Sequence, residues 1–337
     1  MNKESSVSKN ILFWTIILLP IGLFLISLGI GRYKIPFSEL FKTIFAPQSP
    51  IDVPEIGRQL LLRVRLPRIL GALLVGASLA ASGTTFQAIF KNPLVDSNIL
   101  GVTSGAGFGA SLALLLLESN LQVQISAFLF GLVAVTLTFF GSRLYKTTPI
   151  FVLTLMGILI GSLFNSLIAL LKYLADPLDA LPAITFWLLG TLTGITWTQL
   201  AALAVVTILG LTVLFLLRWR MNILSLGDDE AQSLGIDPMK TKIILIITTT
   251  LMTAVVVSIS GIIGWVGLVI PHAGRLLVGP DHKRLLPVTI SLGAAYMLIL
   301  DDFARALLPG EIPIGVLTGL IGVPILILLL RSRRTGW

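Results

Sequence analysis

The chain has 337 residues, 55% of them hydrophobic and 12% charged, with a formal net charge of +8 and no cysteine; its mean hydropathy is +0.97. A soluble domain of this length carries about twice that charged fraction, so the composition excludes a soluble globular protein and describes an all-α, polytopic membrane protein. Without cysteine there are no disulfides, thiolate metal sites or thiol catalysis, and the positive charge reads as loop charge that sets orientation rather than as a nucleic-acid surface.

Residues 1–10 are polar. The apolar run that follows, 11–31, is too long for a signal-peptide core and has no A-x-A cleavage site, so it predicts a first span. The segment 65–106 then carries the most information. A basic start, Arg65-Leu-Pro-Arg68, leads into a charge-free run over 69–90, a break at Asn92-Pro93 and a second apolar run rich in small residues. This pattern predicts a membrane hairpin whose helices pack against protein as much as against lipid. Runs near the 20 residues that cross about 30 Å of hydrocarbon continue along the chain. They predict ten helices in all, at 11–31, 66–90, 94–117, 121–142, 149–171, 196–217, 242–260, 262–279, 285–303 and 312–330. The eighth contains Gly264, Gly267, Pro271 and Gly274 and is expected to be broken or tilted.

Ten spans put both termini on one side. If that side is the cytoplasm, the inner loops hold fifteen of the 24 Lys and Arg: Lys3, Lys9, Lys91, Arg143, Lys146, Arg218, Arg220, Lys240, Lys242, Arg275, Lys283, Arg284, Arg331, Arg333 and Arg334. The outer set is Arg32, Lys34, Lys42, Arg58, Arg63, Arg65, Arg68, Lys172 and Arg305. The bias favours cytoplasmic termini, although the first outer loop is unusually basic. Ser82-Gly83 is followed at ten and eighteen residues by Pro93 and Gly101, and Ser260-Gly261 by Pro271 and Gly279 at the same spacings. Five spans separate the two sets, which predicts an inverted repeat relating helices 2–5 to helices 7–10.

No Asp, Glu or Lys occurs over 11–31, 69–90, 121–142, 149–171, 196–217, 243–274 or 285–300. Proton-coupled carriers and pumps need ionisable relays at membrane depth, so secondary transport is disfavoured, and neither H-E-x-x-H nor G-x-S-x-G supports an intramembrane protease. His272 and His282 read as interfacial residues without a metal role. No phosphate-binding G-x-x-x-x-G-K-[ST] is present, so nucleotide chemistry for uphill transport has to come from another polypeptide. In the fifth span Gly157, Gly161, Asn165 and Ala169 fall four apart, with Ser162 and Ser166 beside them. This is either a face for close helix packing or a mildly polar pathway lining; Asn165 tips the balance towards the pathway, because an amide facing lipid is costly. Between spans six and seven, Asp228, Asp229 and Glu230 suit the N-terminus of a short helix that Leu234 and Gly235 close. That helix is either solvated surface or a docking element.

Five stretches together resemble the permease subunits of binding-protein-dependent ABC importers for iron-siderophores, haem and vitamin B12. They are R-L-P-R-I-L-G-A-L-L-V-G-A-S-L-A-A-S-G, F-K-N-P-L-V-D-S-N-I-L-G-V-T-S-G-A, M-N-I-L-S-L-G-D-D-E-A-Q-S-L-G-I, G-W-V-G-L-V-I-P-H-A-G-R-L-L-V-G-P-D-H-K-R-L-L-P and E-I-P-I-G-V-L-T-G-L-I-G-V-P-I-L-I-L-L-L, in the family's order over residues 65–330. The resemblance implies one permease unit over 1–337 with ten helices, and two copies around a central pathway in a bacterial or archaeal cytoplasmic membrane. It also implies two separate ATPase subunits that use ATP and magnesium, an external substrate-binding protein, and no cofactor in this chain. It assigns residues 222–236, with Leu224, Leu226, Gly227, Asp228, Asp229, Glu230, Ala231, Leu234 and Gly235, to ATPase coupling. Arg65, Arg68 and Arg305 are matched to binding-protein docking, and the fifth span with residues 182–190 to the pathway. Metal chelates are the implied cargo, with an oxyanion such as molybdate or tungstate as the alternative. One departure from the family pattern, Asp301-Asp302 where Ala-Asp is usual, brings charge close to Arg305, where an ion pair would compete with docking.

Overall fold

The computed structural model describes residues 3–31, 33, 55–117, 119–143, 150–308 and 310–331. Arg32, Lys34, Lys42, Lys146, Arg333 and Arg334 of the orientation count lie outside the described residues. Among the described residues all regular structure is helical. Helix α1 is Lys3–Gly29; α2 is Glu55–Leu60, which runs through a π-helical turn, Leu61–Arg65, into α3, Leu66–Phe90. Then come α4 (Val102–Leu116), α5 (Asn120–Ser142), α6 (Ile150–Leu174) and the short α7 (Ala180–Leu188). The second half contains α8 (Trp197–Leu226), the short α9 (Asp228–Ser233), α10 (Pro238–Ser260), α11 (Val266–Val278), α12 (His282–Ala306) and α13 (Ile314–Arg331).

Among the described residues, eight helices are long and apolar enough to cross a membrane. The other two expected spans, the third and the eighth, are shorter helices of 15 and 13 residues, about 22 and 20 Å at 1.5 Å per residue. Local chemistry explains the difference. The third span was expected from residue 94, but Asn92 and Asp96 accept the N–H groups of Leu94 and Asn98 in Asx turns. Those turns hold the chain out of a helix until Gly101, whose left-handed backbone (φ 80°) starts α4. In the eighth span the break comes before the helix rather than at its proline. Residues 261–264 are irregular and Trp265 takes a left-handed backbone (φ 69°), after which α11 runs unbroken through Pro271. The second and sixth spans also exceed expectation, through α2 and the π turn, and through the extension of α8 to Leu226.

The inverted repeat lies in the order of the elements. A long helix, a short helix and two further spans occur as α3–α6 and again as α10–α13. The register read from the glycine spacings is shifted, however: Ser82-Gly83 sits inside α3, whereas Gly261 ends α10. The matching backbone points are Lys91 (φ 48°) with Gly261 (φ 68°), which end the long helices, and Gly101 with Trp265, which start the short ones.

Helix α3 is the centre of the bundle, with 21 of its 25 residues buried. Its glycines and alanines allow this burial. A Cβ added at Gly76 would lie 2.1 Å from the Gly293 carbonyl oxygen of α12, and one at Gly83 2.1 Å from that of Gly267 in α11. Helix α4 approaches α5 in the same way, Gly105 and Gly109 meeting the Phe130 and Ser126 carbonyls at 2.4 Å each. Backbones this close gain dispersion contacts, the main source of cohesion between helices in lipid.

Candidate functional site

Three regions hold the residues singled out from the sequence. At one end of the bundle, Arg65, Arg68 and Arg305 come together as expected, but they are buried, with 5%, 5% and 7% of their surface exposed. Arg68 Nε donates to Asp301 at 2.7 Å, and its Nη1 to both Glu311 oxygens at 2.9 Å. Arg305 pairs with Asp302, approaches Asp301 at 3.6 Å and donates to the Ser27 carbonyl at 3.1 Å. Arg65 donates to the Leu28 carbonyl at 3.1 Å and to that of Tyr33. Arg305 therefore pairs with Asp302, while the extra acid, Asp301, bonds Arg68 and lies within ion-pair distance of Arg305. The three guanidinium groups tie α1, α3, α12 and the loop before α13 into one cluster, and they balance three carboxylates. A cavity of about 230 Å³ opens onto them, lined also by Tyr33 and Val64. Among the described residues, Arg58 and Arg63 are exposed cations at this end. Glu311, which the sequence reading left without a role, links Arg68 to Thr193, whose hydroxyl donates to it.

At the opposite end, α9 forms where three acids and a glycine led it to be expected, and Gly235 (φ 77°) follows it. Leu224 and Ala231 are fully buried and anchor the segment, whereas Leu226, Asp228, Asp229, Glu230, Leu234 and Gly235 face outwards. Asp228 pairs with Lys242 of α10 at 2.6 Å. Asp237 caps α10, and the Lys240 N–H that it accepts holds its carboxyl below the usual range. Leu226 and Leu234 are 66% and 57% exposed beside the three acids, which leaves a mixed apolar and acidic face at this end. Beside α9 the turn between α11 and α12 is fastened to α8 by Asn222, which the sequence reading also left without a specific role. Partial burial pushes Asp281 upwards, but the Lys283 N–H, the Asn222 amide and nearby positive charge outweigh it and hold the carboxyl below its usual range. Asp281 is therefore a carboxylate at neutral pH.

Along the membrane-spanning region, α6 divides the stripe read from the sequence. Gly157 and Gly161 are buried against residues 99–104, where a Cβ at Gly157 would meet the Ile99 carbonyl at 2.1 Å. Ser162, Asn165, Ser166 and Ala169 are exposed. The close-packing reading fits Gly157 and Gly161, while the polar positions of the stripe lie on the exposed side of α6. Positions four apart drift about 40° around a helix, so the stripe leaves the packed face as it climbs.

Comparison with known proteins follows the same lines. A model of the FecCD transport family matches residues 17–332. The molybdate import system permease protein MolB of Haemophilus influenzae is 42% identical over 328 residues, covering 97% of both chains. A probable iron chelatin transport system permease protein of Helicobacter pylori is 38% identical over 275 residues, 81% of this chain and 83% of that one. A solved ABC transporter in an inward-facing conformation, described as of metal-chelate type, superposes with a TM-score of 0.85 at 41% identity, covering 94% of this chain and 98% of its own.

Proposed function

This chain belongs to the FecCD transport family, and on that premise we propose that it is the import pathway for a molybdate-class oxyanion. It is a multi-pass membrane protein and the permease of an ABC importer. The full-length likeness to a molybdate permease carries the cargo assignment. A metal chelate is the second reading, favoured by the iron chelatin relative. The chain supplies the route and not the hydrolysis: two ATPase subunits dock at α9, a second copy completes the pathway along the exposed polar face of α6, and ATP with magnesium acts on those subunits. We place the α9 end and both termini in the cytoplasm of a bacterial or archaeal cell, because most Lys and Arg lie on that side. Switching between inward and outward states then amounts to a shift of populations that ATP binding biases.

The deciding experiment reconstitutes the chain with its ATPase and binding-protein subunits in vesicles and follows labelled molybdate, a ferric siderophore, haem and cobalamin. ATP-dependent molybdate uptake is expected. Uptake of a chelate instead moves the cargo to the second reading, and uptake driven by an ion gradient without ATP overturns the importer itself.

At the arginine end the docking role of Arg65, Arg68 and Arg305 takes a specific form. A cavity opens onto their guanidinium groups, and a partner carboxylate enters it or displaces Glu311, while Arg58 and Arg63 meet the partner at the surface. Arg58→Glu with Arg63→Glu is expected to weaken binding-protein affinity by about tenfold and to flatten its salt dependence. Unchanged affinity in a pull-down titration would remove the exposed arginines from the interface.

A further inference from the structure

Asn222 lies near the C-terminal end of α8, six residues before α9 begins. Its Nδ2 donates to Asp281 Oδ1 at 2.6 Å, and its Oδ1 accepts the His282 backbone N–H at 2.8 Å and faces His282 Nδ1 at 2.8 Å. The orientation of the amide is determined, because a carboxylate can only accept: Nδ2 must face Asp281, which leaves Oδ1 for His282 and makes Nδ1 the protonated ring nitrogen. The same Asp281 oxygen accepts the Lys283 N–H at 2.9 Å and caps α12. One amide therefore clamps the end of α8 to the first turn of α12.

What lies at the two ends of this connection gives it meaning. Met221 and Leu224, flanking Asn222, are fully buried, so the end of α8 moves with its surroundings rather than rolling freely. Helix α9 follows directly, held by the buried Ala231 and by Asp228–Lys242. From His282, α12 runs 25 residues to Asp301, Asp302 and Arg305 in the arginine cluster, backed by α3 through the Gly76–Gly293 contact. A single helix thus reaches from the α9 clamp to the opposite end of the bundle.

We propose that Asn222 is a positioning residue that couples the two ends of the permease, passing movement between α9 and the arginine cluster along α12. The proposal rests on the reading of α9 as the ATPase contact. The experiment uses the complete complex of permease, ATPase and binding protein in vesicles. It reads the ratio of ATP hydrolysis with and without the binding protein. Asn222→Asp sets two carboxylates against each other and is expected to lower that ratio by about tenfold. Adding Asp281→Asn to Asn222→Asp restores a donor–acceptor pair with the roles exchanged: the new carboxylate still accepts from His282, and the new amide turns its Nδ2 to that carboxylate and its Oδ1 to the Lys283 N–H, which keeps the cap of α12. The ratio is expected to return to within about twofold of the parent. Asn222→Ala, which adds no charge, serves if Asn222→Asp does not assemble, and it too is expected to lower the ratio. Loss of complex through misfolding lowers both rates together and does not move the ratio; an unchanged ratio in the assembled complex would overturn the proposal, as would an exchanged pair that stays uncoupled. A parent complex with no stimulation at all overturns the reading of α9 instead.

Discussion

Gly83→Val is expected to eliminate the folded protein. The added Cβ would stand 2.1 Å from the carbonyl oxygen and 2.5 Å from the Cα of Gly267, and both are backbone atoms rather than the end of a flexible side chain. Relief requires α3 and α11 to separate along their length, which forfeits the dispersion contacts that hold the bundle together. Overpacking of this kind costs about 3 kcal/mol or more, roughly a 150-fold shift in the folding equilibrium. Size-exclusion chromatography in detergent with thermal unfolding is the check. Gly22→Val in α1 is the control, because nothing lies within 4 Å of a Cβ there, and it is expected to behave as the parent. A monodisperse Gly83→Val protein with an unchanged unfolding temperature would mean that the α3–α11 contact is looser than described.

Asp301→Ala is the second large effect. Asp301 is fully buried, donates nothing and accepts from Arg68, with Arg305 at 3.6 Å. Removing it leaves Arg65, Arg68 and Arg305 facing two carboxylates, Asp302 and Glu311, in a site with little water. Breaking a buried pair from one side costs about 3–5 kcal/mol, because the remaining charge is left uncompensated. Asp301→Leu combined with Arg68→Met removes the pair together and restores the charge balance, so it is expected to be clearly more stable than Asp301→Ala. Thermal unfolding of the three proteins measures the order, and a double variant no better than the single one would show that the cluster is held by packing rather than by charge.

These two sites show what kinds of feature were legible along the chain. The glycines of 65–106 announced close packing, but not that Gly83 meets Gly267. The spacing of Ser-Gly, Pro and Gly pointed to a real repeat through residues that are not equivalent in it. Apolar composition reported which segments are helical, yet it overran into 94–101, where Asx turns from Asn92 and Asp96 override hydropathy. Helix α9 was legible because its signals are local: three acids at the start and a glycine just past the end. Asn222 and Glu311 were not, since each acts on a partner far away in sequence, Asn222 on Asp281 at a separation of 59 residues and Glu311 on Arg68 at 243.

By itself the sequence determined the medium and the material: a polytopic helical bundle, because a backbone in hydrocarbon must satisfy its own hydrogen bonds, and a permease family, because its motifs are contiguous. Tertiary structure decided how the charges are used. Arg68 and Asp301 stand 233 residues apart, and no periodicity links them. Whether an arginine at a helix end points into solvent or into a buried pair depends on which helix packs beside it, and that arrangement exists only in the assembled bundle.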